Sequence, residues 1–582
     1  MLLAYASMVL FVAPNKGGFW FADDGFFLQM SWNAAHGYGW DYALPQSPSY
    51  LVHATLMHLG MVEYLHFRYF HYALMLIASL IFFCGLNQGR AKTTVLPVAC
   101  CLGILVSLNS VQSPNSLVIN FWMMGCGLFF LAYSASRLTK NILFLLSAIV
   151  FAMAGFMHAA AAVAVLLTTL CIVLLAEKSW GKSYVFITTF IIGFLLLWGW
   201  YIPTIGLEAL LSHPVGHDAS LRQLLIRIGL ILTYFLKALL IYSASIWLGK
   251  KYLKLSTQTL RAILCLGSTM VAISALLSYL MPTQWPIRAF VEPLKIPGVI
   301  YYPLFFIFFE FVTAFNIEPT GIRGILTMNT SKICLWIKSL GGTISNLTWE
   351  QKKFLICFAG FLLLPASLAV GSNTAIIVGL VFFAGPAAGL SIMTWDYLKA
   401  DHQKYYWVLP LFSICWVLVF FGVSFSYNHP APERLFGTKK VLLTATPMNG
   451  LRVSERYQIS MQEILSAYQS NHCQNRYLLI LDYLPTLHFL LQHPAPQEGL
   501  QYGVVRPMLF FPSDSILKKL DKNTGWCVID ATGIETEHEI QKNGGIDIRE
   551  PVRTFLKNNS SNIYEINSPG PEIVGKIYFY SD

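Results

Sequence analysis

The chain has 582 residues, of which 55% are apolar and only 12% charged. A soluble globular protein carries about 25% charged residues, so a string of cytosolic domains is excluded. The formal charge of +10 does not point to a nucleic-acid partner, because the basic residues stand in short clusters between apolar spans, as the positive-inside bias requires.

A membrane helix needs about 20 mostly apolar residues, bounded on both sides by polar or basic sequence. Thirteen segments approximately meet that condition: 1–14, 68–86, 94–111, 117–136, 141–157, 159–176, 184–202, 226–248, 262–281, 299–316, 354–371, 374–395 and 405–424. The run around Met157 and His158 is divided because one helix of about 35 residues would be nearly twice a bilayer thickness. The first span, Met1 to Pro14, has no basic n-region and no convincing small-residue cleavage site, which disfavours a cleaved signal peptide. Its shortness suggests a start inside the first helix.

The loops set the orientation. Seventeen basic residues fall on one side, from Arg90 and Lys92 to Lys399 and Lys404; six fall on the other, namely Lys16, Arg68, Arg222, Arg227, Arg288 and Lys295. The richer side is expected to be cytoplasmic. With thirteen spans, the amino terminus is then inside and everything after about Ser424 outside. The first outside segment, residues 15–67, is far longer than a helix hairpin needs and too aromatic for disorder. Further outside segments are residues 203–225 and 282–298.

From Tyr427 to Asp582 the sequence turns polar, with turn signals between short apolar runs. Strands are predicted at Tyr477 to Leu481, Trp526 to Ile529, Ile563 to Ile566 and Lys576 to Tyr580, and helices at Met461 to Tyr468 and Leu484 to Leu491. The predicted fold class is therefore mainly α: a polytopic membrane helix bundle over 1–424, followed by a small α/β extracytoplasmic domain over 425–582. Eleven cysteines show no CxxC pair or zinc-like spacing. Cys473 and Cys527 are the two in polar sequence, and they are candidates for pairing because the compartment outside a bacterial inner membrane is oxidising. Their separation is not legible in the sequence.

The stretch from Phe19 to Gly39 holds two adjacent carboxylates, Asp23 and Asp24, just past the first span. Charges at a membrane boundary cost free energy unless solvated, paired or bound to a cation. One reading is that Asp23 or Asp24 caps a helix over Gly25 to Ala35, closed by His36 and Gly37. The other is that one Asp is a general base or cation ligand facing a cavity; both roles can coexist. Trp20, Phe21, Phe26, Phe27 and Trp32 suit a membrane-interface belt or a sugar-stacking wall.

An acidic pair after a first span, followed by aromatic residues and a helix ending Ala35-His-Gly37-Tyr-Gly39, resembles the first outside loop of the GT-C glycosyltransferases. The similar groups are the protein O-mannosyltransferases, the bacterial lipid A aminoarabinose transferases and the polyprenyl-phosphate arabinofuranosyltransferases. Gln46-Ser-Pro48-Ser-Tyr50-Leu51 resembles the proline-and-tyrosine segment of the first two, and Leu59-Gly60 followed by Arg68 resembles their entry into the second span. This resemblance covers roughly the first 70 residues. Two departures stand out: Gln46 and Ser47 replace a Glu-Lys pair, and the segment Gln112 to Ser116 holds neither acid nor Arg.

The resemblance implies an inverting glycosyltransferase of a bacterial inner membrane, using a polyprenyl-phosphate sugar at the periplasmic face. The acceptor would be an envelope glycan, lipid A or a protein. Asp23 would take the acceptor hydroxyl's proton and Asp24 would orient the site or help bind a cation, with the two roles exchangeable. No cofactor is firmly implied; a divalent cation stays open. For the leaving phosphate, Arg288 and Lys295 share a proline-rich outside loop, with interfacial snorkelling as their alternative role, and Arg68 is implied by its family position.

Further features are a loop cluster of His213, His217 and Asp218, a turn at Gly371 to Asn373, and Lys237 and Glu310 within predicted spans. The rival class is a polytopic transporter or lipid-carrier flippase without glycosyl transfer. Such a protein usually carries paired charges at the midplane and repeated halves, and this sequence shows neither.

Overall fold

The computed structural model describes residues 2–15, 23–38, 47–86, 114–176, 180–205, 221–256, 348–368, 440–442, 447–480, 486–494, 525–531, 550–567 and 576–581, with a few isolated positions besides. The described chain is mostly helical, with a small sheet near the carboxy terminus. It divides into two compact units. One gathers Met1–Leu74, Ser107–Ser116 and Tyr427–Asp582, and the other Met75–Val106 and Leu117–Ser426.

The first unit begins with helices α1 (Leu2–Asn15), α2 (Asp23–Ala35), α3 (Tyr50–His58) and the first part of α4 (Tyr64–Leu86). Two of them end on a glycine in the left-handed region. Gly37 has φ +74° and Gly60 φ +91°, a conformation that costs a residue with a Cβ about 1–2 kcal/mol. Each completes a Schellman motif. Tyr38 N–H donates to Asn33 O at 2.8 Å and Gly37 N–H to Ala34 O at 3.4 Å; Met61 N–H donates to Leu56 O at 3.0 Å and Gly60 N–H to Met57 O at 2.9 Å. The expected closure of α2 by His36 and Gly37 is thus present, although the helix starts at Asp23, two residues before the predicted start at Gly25.

Further along the first unit lie β1 (Lys440–Leu442), β2 (Arg452–Ser454), α11 (Glu455–Ser470), β3 (Tyr477–Ile480), α12 (Thr486–Leu490), β4 (Trp526–Ala531), α13 (Glu550–Asn559), β5 (Asn562–Asn567) and β6 (Lys576–Ser581). Four strands form a sheet in the order β3-β4-β6-β5, with β3 and β4 parallel and the other pairs antiparallel. Strand alternation sends side chains to two separate cores. Leu478, Ile480, Cys527, Ile529, Ile566 and Phe579 face α11. Leu479, Trp526, Val528 and Tyr580 pack with Val552 and Leu556 of α13. Cys473 and Cys527 are disulfide-bonded with Cα atoms 6.0 Å apart.

The first of these cores also contains Leu28, Leu56, Met57, Tyr64 and Phe67. One dry core is therefore built from the segment after the first helix and from the sheet domain, which lie more than 350 residues apart in sequence. Polar links follow the same route. Gln29 Nε2 donates to His493 O at 3.0 Å, Asn449 Nδ2 to Glu63 Oε1 at 2.9 Å, and Tyr64 N–H to Pro447 O at 2.9 Å. Segments that share a core lie on the same side of any bilayer.

The second unit takes the rest of α4 together with α5 (Pro114–Ala132) from Leu117 onward, α6 (Arg137–Met157), α7 (Ala159–Ala176), α8 (Trp180–Ile205), α9 (Leu221–Tyr252) and α10 (Trp349–Leu368). Among the described residues, five helices are long and apolar enough to cross a membrane. The division at His158 holds: that residue is extended, and its carbonyl accepts from Ala161 N–H at 2.9 Å and Ala162 N–H at 3.1 Å to open α7. Small residues permit close packing here, as is usual where helices meet in lipid. A Cβ on Gly127 would lie 2.5 Å from Ile81 O, and one on Gly85 2.5 Å from Gly127 O.

Several of these helix ends meet one another. Tyr133, at the end of α5, stacks on Trp349 of α10 at 3.9 Å; Lys140 of α6 sits 4.5 Å over the Tyr133 ring; and Lys353 Nζ donates to Leu86 O at the end of α4, 3.2 Å away. The loop charges predict the cytoplasmic side for all of these ends. Leu195, Leu196, Leu236 and Leu240 are exposed on α8 and α9, as side chains facing lipid would be. The predicted spans at 94–111, 299–316, 374–395 and 405–424, and nearly all of that at 262–281, lie outside the described residues.

Candidate active site

Asp23 and Asp24 are the first two residues of α2. A first helical turn leaves backbone N–H groups unpaired, and these favour negative charge. The helix that carries them is anchored farther along by buried polar groups. Gln29 Nε2 reaches both Asn33 Oδ1 at 2.8 Å and His493 O at 3.0 Å, and Leu28 and Met30 are fully buried.

Arg68 sits in the second turn of α4 and is 2% exposed. One terminal nitrogen donates to Ala13 O at 2.6 Å, satisfying a carbonyl at the end of α1. The guanidinium lies 4.6 Å over the Tyr64 ring, and its buried Nε has no hydrogen-bond partner. No carboxylate pairs with it among the described residues. A buried cation so sparsely compensated is costly unless an anion joins it.

A histidine pair lies one turn farther along α4. His53 of α3 and His71 of α4 are 1% and 3% exposed, and their Nε2 atoms are 2.8 Å apart. Ser116 Oγ is 3.4 Å from His71 Nδ1, while His53 Nδ1 is buried without a partner. Burial pushes the His53 imidazole down to about 4 from its ordinary 6.5, so it is neutral at pH 7. Sequence reasoning missed this pair. The two residues are eighteen positions apart and each looks like a lone histidine on an apolar helix; the tertiary fold brings them together.

In the sheet domain, burial lowers His488 well below the ordinary histidine range and also lowers His493. His493 Nδ1 and Nε2 face the carbonyls of Pro494 at 2.9 Å and Arg476 at 3.1 Å. Asp530, almost fully buried, receives Arg553 through two bonds of 2.6 and 3.0 Å, a bidentate pair joining β4 to α13.

Of the residues the sequence proposes for the site, α2 and α4 thus carry Asp23, Asp24 and Arg68, all within the first unit. Arg288 and Lys295 lie outside the described residues, as do His213, His217, Asp218, Glu310 and the Gly371 to Asn373 turn. Lys237 is exposed on α9. Among the described residues, no three His, Cys, Asp or Glu side chains form a set that could hold a metal ion.

No family model and no curated protein matches the sequence. Among solved structures, the chain is similar to the crystal structure of ArnT from Cupriavidus metallidurans in the apo state, at 12% identity and a TM-score of 0.42, over 100% of this chain and 96% of that one.

Proposed function

We propose that this chain is a membrane glycosyltransferase that moves a sugar from a polyprenyl-phosphate carrier to an acceptor hydroxyl at the outer face of a bacterial inner membrane. The observation that carries this reading is Arg68: a buried guanidinium with an unpaired nitrogen, without a carboxylate partner among the described residues, where α4 begins its apolar run. It belongs to the same compact unit as the helix that opens on Asp23 and Asp24. The acids proposed as base and the cation proposed for the anion thus belong to two helices of one unit, with Arg68 at the entry to an apolar span. A polyprenyl phosphate needs that combination, since its tail prefers hydrocarbon and its phosphate prefers polar, cationic surroundings.

In the mechanism, Asp23 takes the proton from the acceptor hydroxyl as that oxygen attacks the anomeric carbon. The bond to the lipid phosphate breaks on the opposite face, and the phosphate leaves toward Arg68. Asp24 orients the acceptor, or the two acids exchange roles. Positioned general-base help is worth about 10²- to 10⁴-fold in rate. Arg288 and Lys295 keep the phosphate-binding role that the sequence assigns them. The disulfide supports an outside location, since structural disulfides persist in oxidising compartments, and the shared core supports the same side for α2 and α3.

The test is transfer from a radiolabelled polyprenyl-phosphate sugar in membranes containing wild type, Asp23→Asn, Asp24→Asn or the double variant at equal expression. At least one single variant is expected to lose 10²-fold or more in rate. Undiminished transfer by the double variant contradicts the assignment, and carrier movement across liposomes without glycosylation establishes the flippase class instead.

A further inference from the structure

The carboxy-terminal end of α2 carries an array of three rings. Trp32 and Tyr38 are 5.7 Å apart with planes within 7° of parallel, and His36 stacks on Trp32 at 4.1 Å. The Schellman turn through Gly37 holds the array in place. His36 Nδ1 donates to Trp32 O at 2.8 Å, because a carbonyl can only accept, which leaves Nε2 for an outside partner. His36 and Tyr38 are exposed, while Trp32 is half-buried and rests on the core below.

We propose that this array docks a remote ring of an oligosaccharide acceptor, an inference that rests on the glycosyl-transfer reading above. Aromatic faces carry negative charge density, to which the weakly positive C–H face of a sugar ring is complementary. His36 Nε2 and the Tyr38 hydroxyl supply polar partners at the rim, as sugar hydroxyls need. A membrane-interface belt accounts for the array less well. Belt aromatics need only sit at headgroup level, whereas these rings stack on one another at the end of a thirteen-residue helix too short to span.

The helix also sets the acceptor's size. Trp32 follows Asp23 by nine positions on α2, which is roughly 14 Å along the axis. That is farther than one sugar ring spans. An acceptor with its reacting hydroxyl at the acidic end reaches the array only if it carries two or three linked rings. A serine or threonine side chain, or a free monosaccharide, does not.

The experiment uses the full chain in nanodiscs with cellotriose, whose equatorial hydroxyls leave C–H faces open, and glucose as the single-ring control, read by saturation-transfer NMR. Cellotriose is expected to bind, and glucose more weakly. Tyr38→Ala and His36→Ala should each weaken cellotriose binding about two- to tenfold, the range of one aromatic contact, with unchanged melting temperatures. Asp23→Asn should bind cellotriose normally while losing transfer. Absence of cellotriose binding to wild type, or binding unaltered by both ring variants, overturns the proposal. Transfer that survives loss of both acids, with cellotriose binding intact, instead removes the catalytic reading and leaves the saccharide platform standing.

Discussion

Reduction of the Cys473–Cys527 disulfide should destabilise the sheet domain by a calculable amount. The bridge spans 54 residues of sequence, and the chain-entropy relation for a loop of that length gives about 4 kcal/mol. Both cysteines are fully buried in the core shared with α2, α3 and α4. Serine there would add the separate cost of an unpaired hydroxyl, so the informative variant is Cys473→Ala/Cys527→Ala. For a folding unit of this size, 1 kcal/mol corresponds to about 2–4 °C, so the transition of the first unit should fall by roughly 8–16 °C. The assay is thermal unfolding of the full chain in detergent, with and without reductant, alongside mass-spectrometric counting of alkylated thiols. A transition that moves less than about 2 °C once both thiols are shown to be reduced would refute the reasoning.

Other expectations follow from buried groups. Because His53 is held down to about 4 against 6.5 in the unfolded chain, protons bind the unfolded state preferentially between those values. Stability is therefore full above pH 6.5 and falls as pH drops, by about 3 kcal/mol at pH 4 from this group alone; His53→Phe should flatten the melting-temperature profile in that window. Arg553→Ala leaves the Asp530 carboxylate buried without its partner and should destabilise by about 3–5 kcal/mol, with Asp530→Asn/Arg553→Met recovering much of the loss in thermal melts. Gly127→Ala places a Cβ against the backbone of Ile81 and should cost about 1–3 kcal/mol, measurable as a lowered unfolding midpoint in mixed micelles.

Much of the fold was legible because bilayer and sheet both impose a simple period. The apolar runs gave α1, α7 and the core of α4, α5, α6, α8, α9 and α10 to within a few residues, and the alternation of Leu478, Leu479 and Ile480 across two cores is the pattern that marks strand β3. Helix ends were less legible. The Gly37 closure follows from local chemistry, whereas α2 and α11 begin before their apolar periodicity does. Strands β1 and β2 were missed, being three residues each, and α13 was missed because its buried face is only Val552 and Leu556. Arg68 was singled out through its motif, whereas its burial and its bond to Ala13 O come from packing. The His53–His71 contact and the Gln29–His493 tie arise from long-range packing, for which one sequence carries no local signal.

The measurement that bears most directly on the outer-face site is thiol accessibility in spheroplasts. His58→Cys at the end of α3 and Lys557→Cys on α13 occupy exposed positions in the first unit, and Lys140→Cys lies in the first turn of α6 in the second, for which the loop charges predict the cytoplasmic side. A membrane-impermeant maleimide should label the first two in intact spheroplasts, above the background of the parent chain, and the third only after permeabilisation. Labelling of His58→Cys and Lys557→Cys from opposite faces, or of both only after permeabilisation, would contradict an acidic pair working outside the inner membrane.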